Sequence, residues 1–150
     1  MIKMKAILIL FLLSLTFSYD REKAAKYAKN YCNNYNPKYN KYEKNYEESP
    51  NFVSQCMKAG GQDFEGCEGK DDKGMIKNAT ALKECLISKG WTIANFPAIG
   101  NPAFIKHSPL VVIISDDNPD RQKVTHCSHE PDRCGATIFS KGLEIYSKSK

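Results

Sequence analysis

Glu48-Ser49-Pro50-Asn51-Phe52-Val53-Ser54-Gln55-Cys56-Met57-Lys58-Ala59-Gly60-Gly61 is the stretch that decides the fold of this 150-residue chain. It carries both ends of a helix. Ser49 is a residue type that accepts the free N–H groups of a first helical turn, and Pro50, which has no N–H, suits the first helical position. The glycine pair supplies the stop. Phe52, Val53, Cys56 and Met57 fall in step on one apolar face, so this helix has something to bury.

Working outward, residues 20–30 read as an earlier helix. Ala24, Ala25, Tyr27, Ala28 and Tyr31 recur at helical spacing, and Asp20 can cap the start. Residues 33–47 are polar, tyrosine-rich and aperiodic, hence a long loop; residues 62–73 form another. Asn78 or Thr80 caps a third helix over 81–89, ended by Gly90. The period then changes. Residues 91–96, 103–106, 110–115 and 122–127 read as strands, with 136–139 and 143–146 closing the sheet. Leu110-Val111-Val112-Ile113-Ile114 is the strongest strand signal and predicts a central position, and Asp116-Asp117-Asn118-Pro119-Asp120 predicts a hairpin turn. Helices first and an antiparallel sheet after them give an α+β domain.

Residues 1–18 have the marks of a secretory signal peptide: Lys3 and Lys5, a short apolar run, then small polar residues. The run is too short for a membrane span. The sequence therefore predicts a secreted chain in which residues 19–150 form one domain, a monomer without a membrane span. Of 150 residues, 132 remain after the leader. Of 22 basic residues, removing Lys3 and Lys5 leaves 20 against 17 acidic ones, a net of +3. So mild a charge gives no nucleic-acid footprint. Cys32, Cys56, Cys67, Cys85, Cys127 and Cys134 make an even set, which in an exported domain predicts disulfides. Cys127 with Cys134, across a Pro-containing loop, is the leading pair; Cys67 with Cys85 and Cys32 with Cys56 are alternatives. His126 and His129 beside two cysteines raise a zinc site, but Cys-x2-Cys spacing is absent, so no metal and no cofactor is expected. Asn78-Ala79-Thr80 is a glycosylation sequon.

Residues Asn51 to Gln55 resemble the nucleophile helix of the amidase-domain family, kin of the CHAP and NlpC-type papain-like cysteine hydrolases. That helix opens Asp-Cys-(Thr/Ser)-Asn-Phe-Val-Ser-Gln, with the cysteine as nucleophile. Here Glu48-Ser49-Pro50 stand in place of Asp-Cys-Thr. Gly100-Asn101-Pro102-Ala103-Phe104-Ile105 resembles the turn and strand that precede the family's base, and His129, Asp132 and Arg133 match its later His-Thr-x-Asp-Arg segment. The resemblance implies a papain-like fold. It assigns Ser49 to the nucleophile position, His107 to the base and His129, ahead of His126, to the group that orients the base. It implies Glu48, Asn51, Gln55, Asp132 and Arg133 as substrate-binding residues.

Such a site needs a nucleophile at a helix N-terminus, a base on a facing strand and a polar orienting group. A serine hydroxyl is a far weaker nucleophile than a thiolate and acts only where base and oxyanion donors suit it. Pro50 also removes one N–H near the oxyanion position. Cys56 lies seven residues on, about 10 Å along the helix, and in step with the apolar face. The expectation is a secreted amidase-like domain with lost or weakened cleavage of cell-wall peptides or peptides. The alternatives are a non-catalytic module binding a cell-wall or protein ligand, and a small cationic disulfide-stabilised secreted protein.

Overall fold

The computed structural model describes residues 18–118, 120–129 and 134–149. Residues 1–17, where a leader is expected, together with Asp132 and Arg133, lie outside the described residues. Three helices come first: α1 Arg21–Tyr31, α2 Glu48–Ala59 and α3 Ala79–Ser88. Six strands follow: β1 Trp91–Ile93, β2 Pro102–Ile105, β3 Val111–Asp116, β4 Lys123–Cys127, β5 Cys134–Phe139 and β6 Leu143–Lys148. They form one sheet in the order β1-β6-β2-β3-β4-β5, and every neighbouring pair is antiparallel. The α+β reading holds, with β3 inside the sheet as its apolar run requires.

The helix starts follow side-chain chemistry. Asp20 accepts from the Lys23 N–H at 3.0 Å, and Asn78 accepts from the Ala81 N–H at 3.0 Å; of the two candidates, Asn78 is the cap of α3. For α2 the expected cap is corrected. The helix begins at Glu48 with Glu47 as N-cap, and Ser49 sits inside the first turn. The Ser49 hydroxyl is drawn sideways to the sheet instead of back along its own helix.

Ala24, Ala25 and Ala28 are the buried face of α1, and these small side chains let α1 lie close to α2. Gly60 marks the closest approach. A Cβ there would come within 2.5 Å of the Tyr19 ring, while its carbonyl accepts from the Asp20 N–H at 2.8 Å. In α2 every residue from Glu48 to Met57 is buried. It is the central helix, packed on α1, on β3 and on the loops. Phe52, Val53, Cys56 and Met57 join Leu82 and Leu86 of α3 and Phe104, Val111, Ile113 and Tyr146 of the sheet in the main core. Ala103, Val112, Ile114, Val124, Leu143 and Ile145 form a second cluster on the other face of the sheet, as strand alternation dictates.

The disulfides correct part of the expectation. Cys67–Cys85 forms, tying residues 62–73 to α3. Cys134 bonds to Cys32 and not to Cys127, and Cys56 and Cys127 are buried thiols. Cys32, at the C-cap of α1, lies over β5 with a Cα–Cα separation of 5.5 Å, within disulfide reach. Cys56 instead turns into the apolar core, so no Cys32–Cys56 bridge forms.

Candidate functional site

The polar residues of the Asn51 to Gln55 core are buried and hydrogen-bond inside the protein, although Asn51 Oδ1 has no partner among the described residues. Asn51 Nδ2 donates to the Asn40 carbonyl at 3.0 Å. Ser54 Oγ accepts from the Ile76 N–H at 3.2 Å and donates to the Asn51 carbonyl at 2.8 Å. Gln55 Oε1 accepts from the Tyr27 hydroxyl at 2.8 Å. A buried polar group costs stability unless it is paired, and these pairs fix α2 against α1 and the loops. Asn51 and Gln55, assigned to substrate contact by the resemblance, are placed as internal struts.

The centre of the arrangement is Glu48 with His129, 1% and 4% exposed. Glu48 Oε1 lies 2.6 Å from His129 Nδ1. Glu48 Oε2 accepts from the Tyr42 backbone N–H at 2.7 Å and from Asn51 Nδ2 at 3.3 Å. His129 Nε2 lies 2.7 Å from the Tyr31 carbonyl oxygen. That carbonyl can only accept, so Nε2 is the donor there, and the short Nδ1–carboxyl contact is a hydrogen bond on the other side of the ring. The imidazole stacks on Phe52 with ring centroids 3.9 Å apart, and Tyr35 packs against it at 4.6 Å. Both nitrogens of His129 are thus committed and water is kept away.

The loop of residues 33–47 reaches this pair because other contacts hold it in place. Asn36 Nδ2 donates to the Tyr27 hydroxyl at 3.0 Å, and the Tyr42 hydroxyl donates to Asp71 Oδ2 at 2.9 Å. Burial, reinforced by that bond, pushes the Tyr42 phenol up to about 12. Burial alone would raise the Asp71 carboxyl. The bonds it accepts from the Met75 N–H, Tyr42, Asn40 and the Lys73 N–H outweigh burial and hold it below its ordinary range.

Ser49 is fully buried. Its Oγ accepts from the Val111 N–H at 3.1 Å, at the first residue of β3. Ser128 Oγ donates to the Val111 carbonyl at 3.2 Å, so two serine hydroxyls grip the two backbone groups of one residue. His107 is exposed, in the turn between β2 and β3, at φ +60°. It lines a groove of about 360 Å³ with Lys83, Ile87, Phe104 and Glu144, and Ser49 is not among the lining residues. Among the described residues, no hydrogen bond joins Ser49 to His107.

The structure therefore brings Glu48 and His129 together and leaves Ser49 and His107 apart. His126 pairs with Ile114 across β3 and β4. Residues paired across strands share a face, so His126 lies with the second cluster, on the far side of the sheet from α2. Burial, and after it the neighbouring Cys127, pushes the Cys56 thiol well up, the reverse of what a nucleophilic cysteine needs. Asn78 is exposed while its Oδ1 caps α3.

Sequence reasoning missed the Tyr31 carbonyl, the Tyr42 N–H and the Val111 N–H. Backbone groups have no residue code, and only the tyrosine-rich loop hinted that something lay beneath it. Among the described residues no helix is long and apolar enough to cross a membrane.

The chain matches the family model described as "Putative amidase domain" over residues 18–97, more than half its length. That span holds all three helices and β1. No curated protein and no solved structure gives a match.

Proposed function

We propose that this chain, which belongs to the amidase-domain family, is a secreted, non-hydrolytic member that keeps a papain-like amidase frame and has lost amide cleavage. One observation carries the reading: the Ser49 hydroxyl is fully buried and spent on the Val111 N–H. A nucleophile must reach the carbonyl carbon and have a base within about 3 Å. Here the histidine beside the helix start, His129, is held by Glu48 on one side and the Tyr31 carbonyl on the other. The expected base, His107, faces a different groove.

That groove supports a second reading, a binding module. Lys83 lies 5.0 Å from the centre of the Phe104 ring and 3.2 Å from Glu144 Oε2, with Ile87 54% exposed beside them. An aromatic floor, an exposed apolar side chain and both signs of charge suit an extended cell-wall peptide or protein segment.

Wild type, Ser49→Ala and Ser49→Cys are incubated with muropeptides and peptide amides, and products are measured by mass spectrometry. No turnover by any of the three is the expected outcome. Turnover by wild type that disappears in Ser49→Ala would overturn the reading. Calorimetric titration of wild type and His107→Ala with the same peptides tests the groove; equal heats from both would remove it as the binding site.

A further inference from the structure

Three sulfur atoms meet where α1 ends against β4 and β5. Cys32, Cys127 and Cys134 Sγ all lie within 4.8 Å of one another. Cys32 and Cys134 are bonded, and Cys127 is a buried thiol. Cys127 and Cys134 are also cross-strand partners on β4 and β5. Such partners have Cα atoms about 4.5–5.5 Å apart, inside the range of about 4.4–6.8 Å that a disulfide spans. Cys134 thus has two sulfurs in reach and a bridge to one of them.

We propose that this cluster is a thiol–disulfide exchange site in which Cys127 is the attacking thiol and Cys134 the sulfur shared between two bridges. The Cys127 thiolate attacks Cys134 Sγ. The Cys127–Cys134 bond forms, the Cys32–Cys134 bond breaks, and the electron pair leaves on Cys32 sulfur, which takes up the proton that Cys127 gave up. No electrons enter or leave the protein, so neither oxidant nor reductant is needed. Cys32 sits at the negative end of the α1 dipole, which favours its protonated form after release. The Lys29 carbonyl oxygen, 3.5 Å from Cys32 Sγ, is placed to accept the S–H. Cys56 is not one of the three sulfurs that meet there, and burial pushes its thiol well up, so it does not compete as the attacker.

Exchange moves a covalent staple. The Cys32–Cys134 bridge closes a sequence separation of 102 residues and fastens α1 to the sheet; the Cys127–Cys134 bridge closes a short hairpin. The long closure restricts the unfolded chain more, so the exchanged isomer is the minor one. Exchange also bears on the buried pair. Tyr31, whose carbonyl holds His129 Nε2, immediately precedes Cys32, so release of Cys32 loosens the anchor of that histidine.

The test is a disulfide map of the oxidised full-length chain. The protein is held near pH 8.5, about the ordinary thiol pKa, then quenched in acid, alkylated in denaturant and cut with trypsin. Cleavage after Arg133 separates Cys127 from Cys134. The expected result is a minor Cys127–Cys134 peptide beside the Cys32–Cys134 peptide, with alkylated Cys32 rising as alkylated Cys127 falls. In Cys32→Ser incubated with glutathione disulfide, which takes up the two electrons, Cys127 and Cys134 are expected to be bonded and to resist alkylation. A wild-type map that holds only Cys32–Cys134, with Cys127 fully alkylated after prolonged incubation, overturns the proposal. A Cys56–Cys127 bridge does the same, because it leaves no attacking thiol. If Cys32→Ser fails to fold, the wild-type map decides.

Discussion

Removal of the Glu48 carboxylate should be among the most damaging single changes in this chain. In Glu48→Ala the His129 imidazole stays buried with the Tyr31 carbonyl as its one hydrogen-bond partner among the described residues, and the Tyr42 N–H loses the oxygen it donates to at 2.7 Å. Leaving a buried hydrogen-bonding group unpaired costs about 1–3 kcal/mol, more for a charged one, and here both the His129 ring nitrogen and the Tyr42 N–H are left so. The two overlap, so the expected loss is about 4 kcal/mol from a total of about 5–15 kcal/mol. At about 2–4 °C per kcal/mol for a chain of this size, Tm should fall by roughly 8–16 °C. Guanidinium unfolding read by the fluorescence of Trp91, the single tryptophan and a buried one, measures the loss with the disulfides intact. Glu48→Gln keeps an acceptor for Tyr42 and should cost less. Combined with His129→Ala in a double-mutant cycle, the two losses should fall short of additivity by more than about 1 kcal/mol. A Glu48→Ala loss below about 1 kcal/mol at unchanged denaturant slope, or strict additivity with His129→Ala, would refute the idea that this pair anchors α2.

Ser49→Ala should cost about 1–3 kcal/mol by stranding the buried Val111 N–H, a loss read by the same unfolding curves, and should leave any amide hydrolysis unchanged. Asp71 gives a pH signature. Its folded pKa is lowered, so its stabilisation is full above the unfolded value of about 3.9 and is lost as pH falls through the lower folded value. Asp71→Asn should therefore differ from wild type in thermal melts at neutral pH and converge with it in acid; an equal gap at every pH would count against the cradle. Gly100→Ala would place a Cβ 2.0 Å from the Arg21 carbonyl oxygen at φ +77°. A loss of at least about 2 kcal/mol is expected, and a wild-type Tm would rule out the close packing of α1 on the β1–β2 connection.

The helices and strands were legible because their signals are local. Ala24, Ala25 and Ala28 mark one helical face, the β-branched run beginning at Val111 marks an inner strand, and Asn78 marks a cap. The site was legible only as a set of residues. Ser49 has the chemistry of an N-cap, yet its hydroxyl serves β3, sixty-two positions away in sequence, and no local pattern carries that. The leading disulfide failed for the same reason. Cys127 and Cys134 do face each other across a hairpin, and only the packing of α1 brings Cys32 to the same place. The Glu48–His129 contact spans 81 positions; the resemblance supplied both residues but not their partnership.

The strand order has a consequence for how the chain is made. β6 occupies the slot between β1 and β2, and β1 has no other strand partner among the described residues. During synthesis from the N-terminus, β1 to β5 exist before β6 does, so two strand edges stand open beside an empty slot. Open edges recruit other chains. Wherever β1 to β5 pair before β6 is available, that sheet is a template for a foreign strand until its own sixth strand enters.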